Sequence, residues 1–279
     1  MQVYIKYNCK VVKKLYWFEN LSPVIQAMIA TTFTWGITAL GALVVYFFKE
    51  VNKKVLNTIL GFSAGVMLAA SFWSLIEPAI DLSEKLGYIA WLPPAIGFIV
   101  GGLFVILSDR FLDKVLKNKK RIKSANSLKR SILLVSAITI HNIPEGMSIG
   151  VAFGGIAAGV PGMTVVGALM LAIGIGIQNF PEGAAVSLPL RSEGFSRNKS
   201  FLIGQASALV EPLSAVIGVI LVLAVRSIMP ILLSFSAGAM IAVVARELLP
   251  ESVKENKNLA TIGLVFGFVL MMVLDVALG

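Results

Sequence analysis

Eight long apolar blocks constrain this chain more than any other feature of its sequence. They cover approximately residues 22–48, 56–80, 89–112, 131–156, 164–190, 199–226, 229–251 and 259–278. A helix needs about 20 apolar residues to cross a bilayer, and each block provides them. Charged residues make up only 14% of the chain, well below the share in a water-soluble globule. The sequence therefore predicts an all-α membrane protein in which residues 1–279 form one domain of eight transmembrane helices.

The net charge of +9 comes largely from lysines and arginines near the ends of these blocks. They gather on one side of the predicted bundle, above all in the connection 113–130. Short cytoplasmic loops carry an excess of Lys and Arg, so we predict that 113–130 is a basic cytoplasmic loop. Both termini are then extracytoplasmic, and the membrane is predicted to be the plasma (inner) membrane. The expected surroundings are membrane lipid, with no nucleic acid partner.

The chain has one cysteine, Cys9, and one histidine, His141. A single cysteine excludes an intramolecular disulfide and a thiolate metal cluster built by one chain. A single histidine excludes the two-histidine HExxH site of zinc proteases.

Two short motifs recur in the chain. Residues 141–146 are His-Asn-Ile-Pro-Glu-Gly and residues 178–183 are Gln-Asn-Phe-Pro-Glu-Gly, in the fourth and fifth blocks. Residues 62–67, Phe-Ser-Ala-Gly-Val-Met, resemble residues 235–240, Phe-Ser-Ala-Gly-Ala-Met, in the second and seventh blocks. Each pair lies on helices predicted to run in opposite directions. The repeats predict a two-fold axis in the membrane plane that relates helices 1–3 to 6–8 and exchanges helices 4 and 5. Transporters with such inverted repeats bind their substrate near the midplane.

Three glutamates, Glu145, Glu182 and Glu211, fall in the middle of predicted spans. A carboxylate at the bilayer centre costs about 2.5–3.5 kcal/mol on insertion scales, so such residues are functional by default. No lysine or arginine lies mid-helix to neutralise them. The three carboxylates therefore require a cation or protons.

The spacing of the polar residues indicates a divalent metal. His141 and Glu145 are four residues apart on one helical face, as are Gln178 and Glu182 on the next helix. One imidazole, one amide oxygen and two carboxylates suit Zn²⁺, Fe²⁺ or Mn²⁺. Asn142 and Asn179 lie one residue further on and suit a second, adjacent site.

Glu211 and Met67 each have a metal-binding interpretation and a purely structural alternative. Glu211 is assigned to the second site, or else bonds to Ser207 one turn earlier. Met67 offers a weak thioether ligand, or else fills the core. Pro144 and Pro181 are expected to kink their helices, while Gly146 and Gly183 allow close backbone approach.

Charged residues at the helix ends are also ambiguous. Glu77 suits an entrance, and Glu247 and Glu251 suit an exit, although solvated interfacial charges explain them equally well. Asp109 and Asp275 are interpreted as interfacial.

The two Pro-Glu-Gly motifs closely resemble those of the Zrt/Irt-like (ZIP) divalent metal transporters, in particular the compact prokaryotic GufA-type members. The resemblance covers essentially the whole chain after residue 20. It implies a 3+2+3 inverted-repeat bundle, transport into the cytoplasm, and a binuclear centre between helices 4 and 5. Carried over by position, one site has the ligands Met67, His141, Glu145, Gln178 and Glu182. The other has Asn142, Glu145, Asn179, Glu182 and Glu211.

Two positions depart from the family pattern. Many members carry His where this chain has Gln178, and some carry Asp where it has Asn179. These changes should weaken the preference for zinc and lower occupancy of the second site.

The resulting interpretation is a transporter and not an enzyme, with divalent metal as its substrate and no organic cofactor. Zinc is the expected substrate, with cadmium, iron and manganese as further candidates. A membrane enzyme is disfavoured because no nucleophile lies beside a base. A proton-coupled carrier of an organic solute is the remaining alternative. The Gly150–Gly154 spacing suits either a homodimer or packing within the chain.

Overall fold

A computed structural model describes residues 16–48, 52–118 and 126–278, and within these ranges it contains helices and no strands. We label the eight long helices α1 (Pro23–Phe47), α2 (Lys53–Lys85), α3 (Leu92–Asn118), α4 (Asn126–Ala157), α5 (Val165–Ser192), α6 (Arg197–Ala224), α7 (Arg226–Ser252) and α8 (Lys257–Leu278). Cys9 and the N-terminal lysines lie outside the described residues, as does the centre of the predicted basic loop.

Seven of these helices are long and apolar enough to cross a membrane. The exception is α4, which has 32 residues but carries His141, Asn142 and Glu145 in its middle. Large apolar side chains such as Phe33, Leu103 and Phe266 face outward. Polar side chains are buried between the helices instead, which is the reverse of a soluble protein. The chain is thus an α-helical integral membrane protein.

The predicted loop 113–130 is shorter in the structure. Helix α3 continues to Asn118, and α4 already begins at Asn126. Lysine is a good helix former, so a helix can extend past the apolar block that anchors it. Hydropathy locates the membrane part of a helix but not its end.

Three helices depart from regular α geometry near the polar interior. Helix α2 contains a π-helical turn at Ser71–Ile76, and α7 contains one at Val244–Leu248. Such turns are frequent at functional sites. Helix α6 breaks between Ala206 and Val210, just before Glu211-Pro212. Pro144 and Pro181, by contrast, lie inside uninterrupted helices.

Glycines bring the helices together in four main pairs: α1 with α5, α4 with α6, α2 with α8, and α3 with α7. A Cβ on Gly183 would lie 2.0 Å from the carbonyl oxygen of Thr38 on α1. A Cβ on Gly146 would lie 2.3 Å from the carbonyl oxygen of Glu211 on α6. Both repeated motifs therefore end in a glycine where the backbones touch, which confirms the predicted close approach.

The other repeated segment makes matching contacts as well. Gly267 of α8 packs on the carbonyl of Phe62, where a Cβ would lie 2.1 Å away. Gly101 of α3 packs in the same way on Phe235, at 1.9 Å. Phe62 and Phe235 are the first residues of the two repeated segments. Equivalent residues thus make equivalent helix contacts in the two halves.

The Gly150–Gly154 spacing is used inside the chain. A Cβ on Gly150 would lie 2.0 Å from the carbonyl oxygen of Ala215, and one on Gly154 would lie 3.1 Å from Val222 Cβ. Both glycines therefore pack α4 against α6. This spacing gives no support to a homodimer.

Candidate metal centre

Three carboxylates lie in the interior of the bundle, on three different helices. Glu145 of α4 and Glu211 of α6 are completely buried, and Glu182 of α5 is 7% exposed. Glu145 and Glu211 accept hydrogen bonds from two neighbouring residues of α5, Gln178 and Asn179, which are followed one turn later by Glu182. Among the described residues, no lysine or arginine side chain is buried beside them. The structure therefore brings together the three acidic residues that the sequence analysis singled out.

Glu145 is held by the helix-five motif. Gln178 Nε2 donates a hydrogen bond to Glu145 Oε1 at 2.6 Å. The backbone carbonyl of Gln178 in turn accepts a hydrogen bond from Ser63 Oγ at 3.0 Å. Ser63 belongs to the repeated segment on α2, so that segment fixes the position of the amide that faces Glu145.

Glu211 accepts two hydrogen bonds, one on each oxygen. Asn179 Nδ2 donates to Oε1 at 2.8 Å, and Thr34 Oγ1 of α1 donates to Oε2. The Ser207 hydroxyl instead donates to the carbonyl of Gly204 at 2.7 Å, so the alternative pairing of Ser207 with Glu211 is wrong. Thr34 was not predicted from the sequence, because threonine in an apolar helix commonly bonds to its own backbone.

The break in α6 provides one more contact. It leaves the carbonyl of Ser207 without its helical partner, and Asn142 Nδ2 donates to this oxygen at 3.0 Å. Asn142 is thereby oriented with its own carbonyl oxygen free. The asparagine of the helix-four motif therefore lies beside α6, near Glu211.

Four buried oxygen atoms in this cluster lack any hydrogen-bond donor: Asn142 Oδ1, Glu145 Oε2, Gln178 Oε1 and Asn179 Oδ1. Leaving a buried acceptor unsatisfied costs about 1–3 kcal/mol, and more when it is charged. A divalent cation is a ligand that would satisfy several such oxygens at once. All four residues belong to the candidate ligand set predicted from the sequence.

His141 points away from this cluster, toward α7. Its Nε2 atom lies 2.9 Å from Glu247 Oε1, but the two atoms do not form a hydrogen bond. Ligand atoms of His141, Glu247 and Asp109 all lie within 4.8 Å of one another. We call these three residues the inner cluster. Asp109 was interpreted from the sequence as interfacial, since an aspartate near a helix end usually is.

Met67 lies on α2 and is 1% exposed. It is part of the main apolar core, together with Val66 and Ala70. In this structure Met67 therefore fills the core, as the alternative interpretation expected. Its role as a metal ligand stays a prediction.

Comparison with known proteins places these residues in a family. The family model described as ZIP Zinc transporter matches residues 117–275. This chain belongs to the ZIP family. The matched range includes both repeated Pro-Glu-Gly motifs, Glu211 and Glu247, whereas Met67 lies outside it.

Several curated ZIP proteins are similar over nearly the whole chain. Zinc transporter ZIP11 of Xenopus tropicalis is 38% identical over 94% of this chain and 99% of its own length. Zinc transporter ZIPB of Bordetella bronchiseptica is 37% identical over 94% of this chain and 84% of its own. Zinc transporter GufA of Myxococcus xanthus is 34% identical over 90% and 98%. These relatives are named as transporters and not enzymes, and this ZIP protein is likewise a transporter.

A cavity of about 570 Å³ lies at the opposite end of this ZIP protein from the inner cluster. The acidic residues Glu77, Asp81 and Asp275 line it, and Ser74 Oγ donates to Asp275 Oδ1 at 2.7 Å. We call it the outer cavity. Glu77 thus lines a cavity, while Glu251 pairs with Lys254 at the surface as a solvated charge.

Proposed function

We propose that this protein imports divalent transition metals, zinc above all and also cadmium, iron and manganese, into the cytoplasm. The observation that carries the proposal is the group of four donor-less buried oxygens beside three buried carboxylates. Carboxylate and amide oxygens together with an imidazole are suited to borderline divalent ions. The names of the relatives support zinc as the first substrate to test.

We assign the central ligands to two adjoining metal positions. Glu145, Gln178 and Glu182 form the first position, with His141 and Met67 as further ligands. Asn142, Asn179 and Glu211 form the second, with Glu145 and Glu182 shared between the two. In the structure the Gln178 and Asn179 nitrogens bond to Glu145 and Glu211. Metal binding would replace these donors by the ion.

The path of the ion follows from the acidic residues at either end. The outer cavity holds three carboxylates that attract a cation, and the inner cluster contains His141 together with two more carboxylates. His141 is four residues from Glu145 on the same helix, so it connects the central ligands with Glu247 and Asp109, the other two members of the inner cluster. We infer that His141 passes the ion from one to the other.

We propose that all eight helices, α4 included, cross the membrane as a 3+2+3 inverted repeat. The equivalent glycine contacts in the two halves support this arrangement. The basic residues between α3 and α4 favour a cytoplasmic location for that connection, with both termini outside, in the plasma membrane.

Alternating access then requires one group of helices to move against another. The central ligands lie mainly on α4, α5 and α6, whereas the outer cavity and inner cluster also use α2, α3, α7 and α8. A shift of the first group relative to the second would open the central ligands to one end and close them to the other.

Zinc uptake into proteoliposomes tests the proposal. Purified protein is reconstituted around a fluorescent zinc chelator, and Zn²⁺, Cd²⁺, Mn²⁺ and Fe²⁺ are added outside separately. We expect saturable influx that is lost in Glu145→Gln/Glu182→Gln. The matched control is Glu255→Gln, which removes an exposed carboxylate remote from the central ligands.

The control variant should transport like the wild type. Metal influx that persists in the double variant would refute the site. The absence of any metal influx in well-inserted wild-type protein would refute the function and favour an organic solute.

A further inference from the structure

The inner cluster contains a fixed positive charge. Arg246 precedes Glu247 in the π-helical turn of α7, and its Nη2 and Nε atoms lie 2.9 Å and 3.1 Å from Asp109 Oδ2. The side chain of Arg246 is 42% exposed and that of Asp109 is 20% exposed. The guanidinium therefore covers one acidic member of the cluster from the solvent side.

A metal ion and this guanidinium compete for the same carboxylate. Asp109 is one of the three residues whose ligand atoms lie within 4.8 Å of one another. Arginine remains protonated in proteins and has no acceptor atom, so it cannot itself bind a metal. It acts only by neutralising Asp109 and by repelling a divalent ion that reaches Glu247 and His141.

Within the described part of the chain, the position at the outer end that is equivalent to Arg246 holds no cation. The inverted repeat makes Asp275 the equivalent of Asp109, Ser74 that of Glu247, and Trp73 that of Arg246, because the flanking glycine contacts match in both halves. Trp73 packs edge-on against the rings of Phe72 and Phe268. At the outer end, the aromatic ring of Trp73 thus takes the place that the guanidinium of Arg246 has at the inner end.

The charge of the two ends differs accordingly. Asp275 Oδ1 accepts only a neutral hydroxyl, its Oδ2 atom has no donor, and Glu77 lines the same cavity. Asp81 is the outer carboxylate with a basic partner, Lys85. At the inner end the equivalent of Asp275 is Asp109, and it is paired with the cation of Arg246. This difference in charge favours capture of a metal ion at the outer end and its release at the inner end.

A purely structural role for the ion pair is a weaker explanation. Helices α3 and α7 already touch through Gly101 at Phe235 and through Gly238 at Phe98. Partly exposed ion pairs typically contribute about 0–1 kcal/mol to stability. The pair is therefore not needed to hold these helices together, whereas its charge acts directly on the cluster.

We propose that Arg246 is a tethered cation that competes with the transported metal for Asp109 and so makes the inner cluster release the ion. This inference rests on the proposed function, since it assigns Arg246 to the release step of the same path. Neutralising Arg246 should make the cluster retain metal. Uptake should then reach a lower maximal rate, with a KM that is unchanged or lower.

Zinc binding to detergent-purified protein, measured by competition with a chelator, tests the inference directly. The central ligands are first removed with Glu145→Gln/Glu182→Gln, so that the inner cluster dominates the signal. In this background we expect Arg246→Gln to tighten zinc binding about tenfold, because one repulsive unit charge is lost from a site that is partly screened by solvent. Adding Asp109→Asn should cancel the gain. Arg246→Lys keeps the charge and should bind like the parent.

Transport by the otherwise native chain provides the second measurement. Arg246→Gln should lower the maximal zinc uptake rate severalfold, and Arg246→Lys should restore most of it. Unchanged or weaker binding in Arg246→Gln would overturn the inference, as would equal loss of function in Gln and Lys variants of normal thermal stability. If the wild type transports no metal while Arg246→Gln still tightens binding, the proposed function fails and the competition for Asp109 stands.

Discussion

Replacing Gly146 with alanine tests whether the spacing of α4 and α6 sets the geometry of the metal centre. The added Cβ would lie 2.3 Å from the carbonyl oxygen of Glu211 and 2.5 Å from its Cα atom. Ordinary van der Waals contact begins at 3.4 Å, so the two backbones must separate by about 1 Å. The atoms that move belong to Glu211 itself.

The cost in stability can be bounded from two opposing effects. Overpacking a tight contact costs about 1–3 kcal/mol. Alanine in place of glycine in a helix interior gains about 1 kcal/mol. We therefore expect a net loss of at most about 2 kcal/mol, small enough for the protein to insert and fold.

The effect on transport should be larger than the effect on stability. Metal sites require ligand distances within about 0.2 Å of their usual values, and the clash displaces Glu211 by several times that amount. We expect zinc uptake by Gly146→Ala to fall about tenfold or more, with a KM increase as the main cause.

The matched control is Gly36→Ala on α1, where an added Cβ meets no atom within 4 Å. This variant should keep wild-type uptake and gain slightly in stability, because only the helix propensity changes. The assays are the thermal midpoint in detergent and initial uptake rates in proteoliposomes. Wild-type uptake by Gly146→Ala at unchanged stability would refute the reasoning.

Three further predictions concern the ligands themselves. Thr34→Val removes one of the two donors to Glu211, so it should lower the stability of the metal-free protein by about 1.5–3 kcal/mol and increase the stabilisation by zinc. Thr261→Val at an exposed position is the control. Equal thermal midpoints in the two variants would contradict this prediction. Gln178→His adds an imidazole ligand and should lower the KM for zinc more than the KM for manganese. An unchanged ratio of these two KM values would argue against Gln178 as a ligand. Acidification of the outside should slow zinc uptake, because protons compete for carboxylate and imidazole ligands, and initial rates that rise toward acid would contradict the site.

The sequence was informative wherever one helix determines its own properties. Apolar blocks of about 20 residues predict membrane helices because lipid leaves the backbone no other way to satisfy its hydrogen bonds. The two Pro-Glu-Gly motifs locate Glu145 and Glu182, and their final glycines predict close backbone approach, which the structure shows at Thr38 and Glu211.

Features that depend on a distant helix were missed. His141 shares a face with Glu145, yet its side chain turns to Glu247, because α7 supplies a carboxylate that no local spacing reveals. Thr34 and Asp109 gain their roles only through helices far along the chain. The π-helical turns and the break in α6 also escaped, since apolar periodicity carries no signal for a local change of helix type.

Equivalence between the repeats carries a further signal in the sequence. Asp109 and Asp275 take corresponding places beside the two π-helical turns. The equivalence of the halves marks both aspartates, even though each looks interfacial on its own helix.

Glu145 and Glu182 are proposed to carry the transported ion. Zinc-edge X-ray absorption on the purified protein, combined with its zinc content, tests this role most directly. We predict bound zinc with oxygen and nitrogen neighbours at about 2.0–2.2 Å, no sulfur shell typical of thiolates, and loss of this signal in Glu145→Gln/Glu182→Gln but not in Glu255→Gln. Bound zinc whose content and spectrum are the same in the double variant and the wild type would contradict the account.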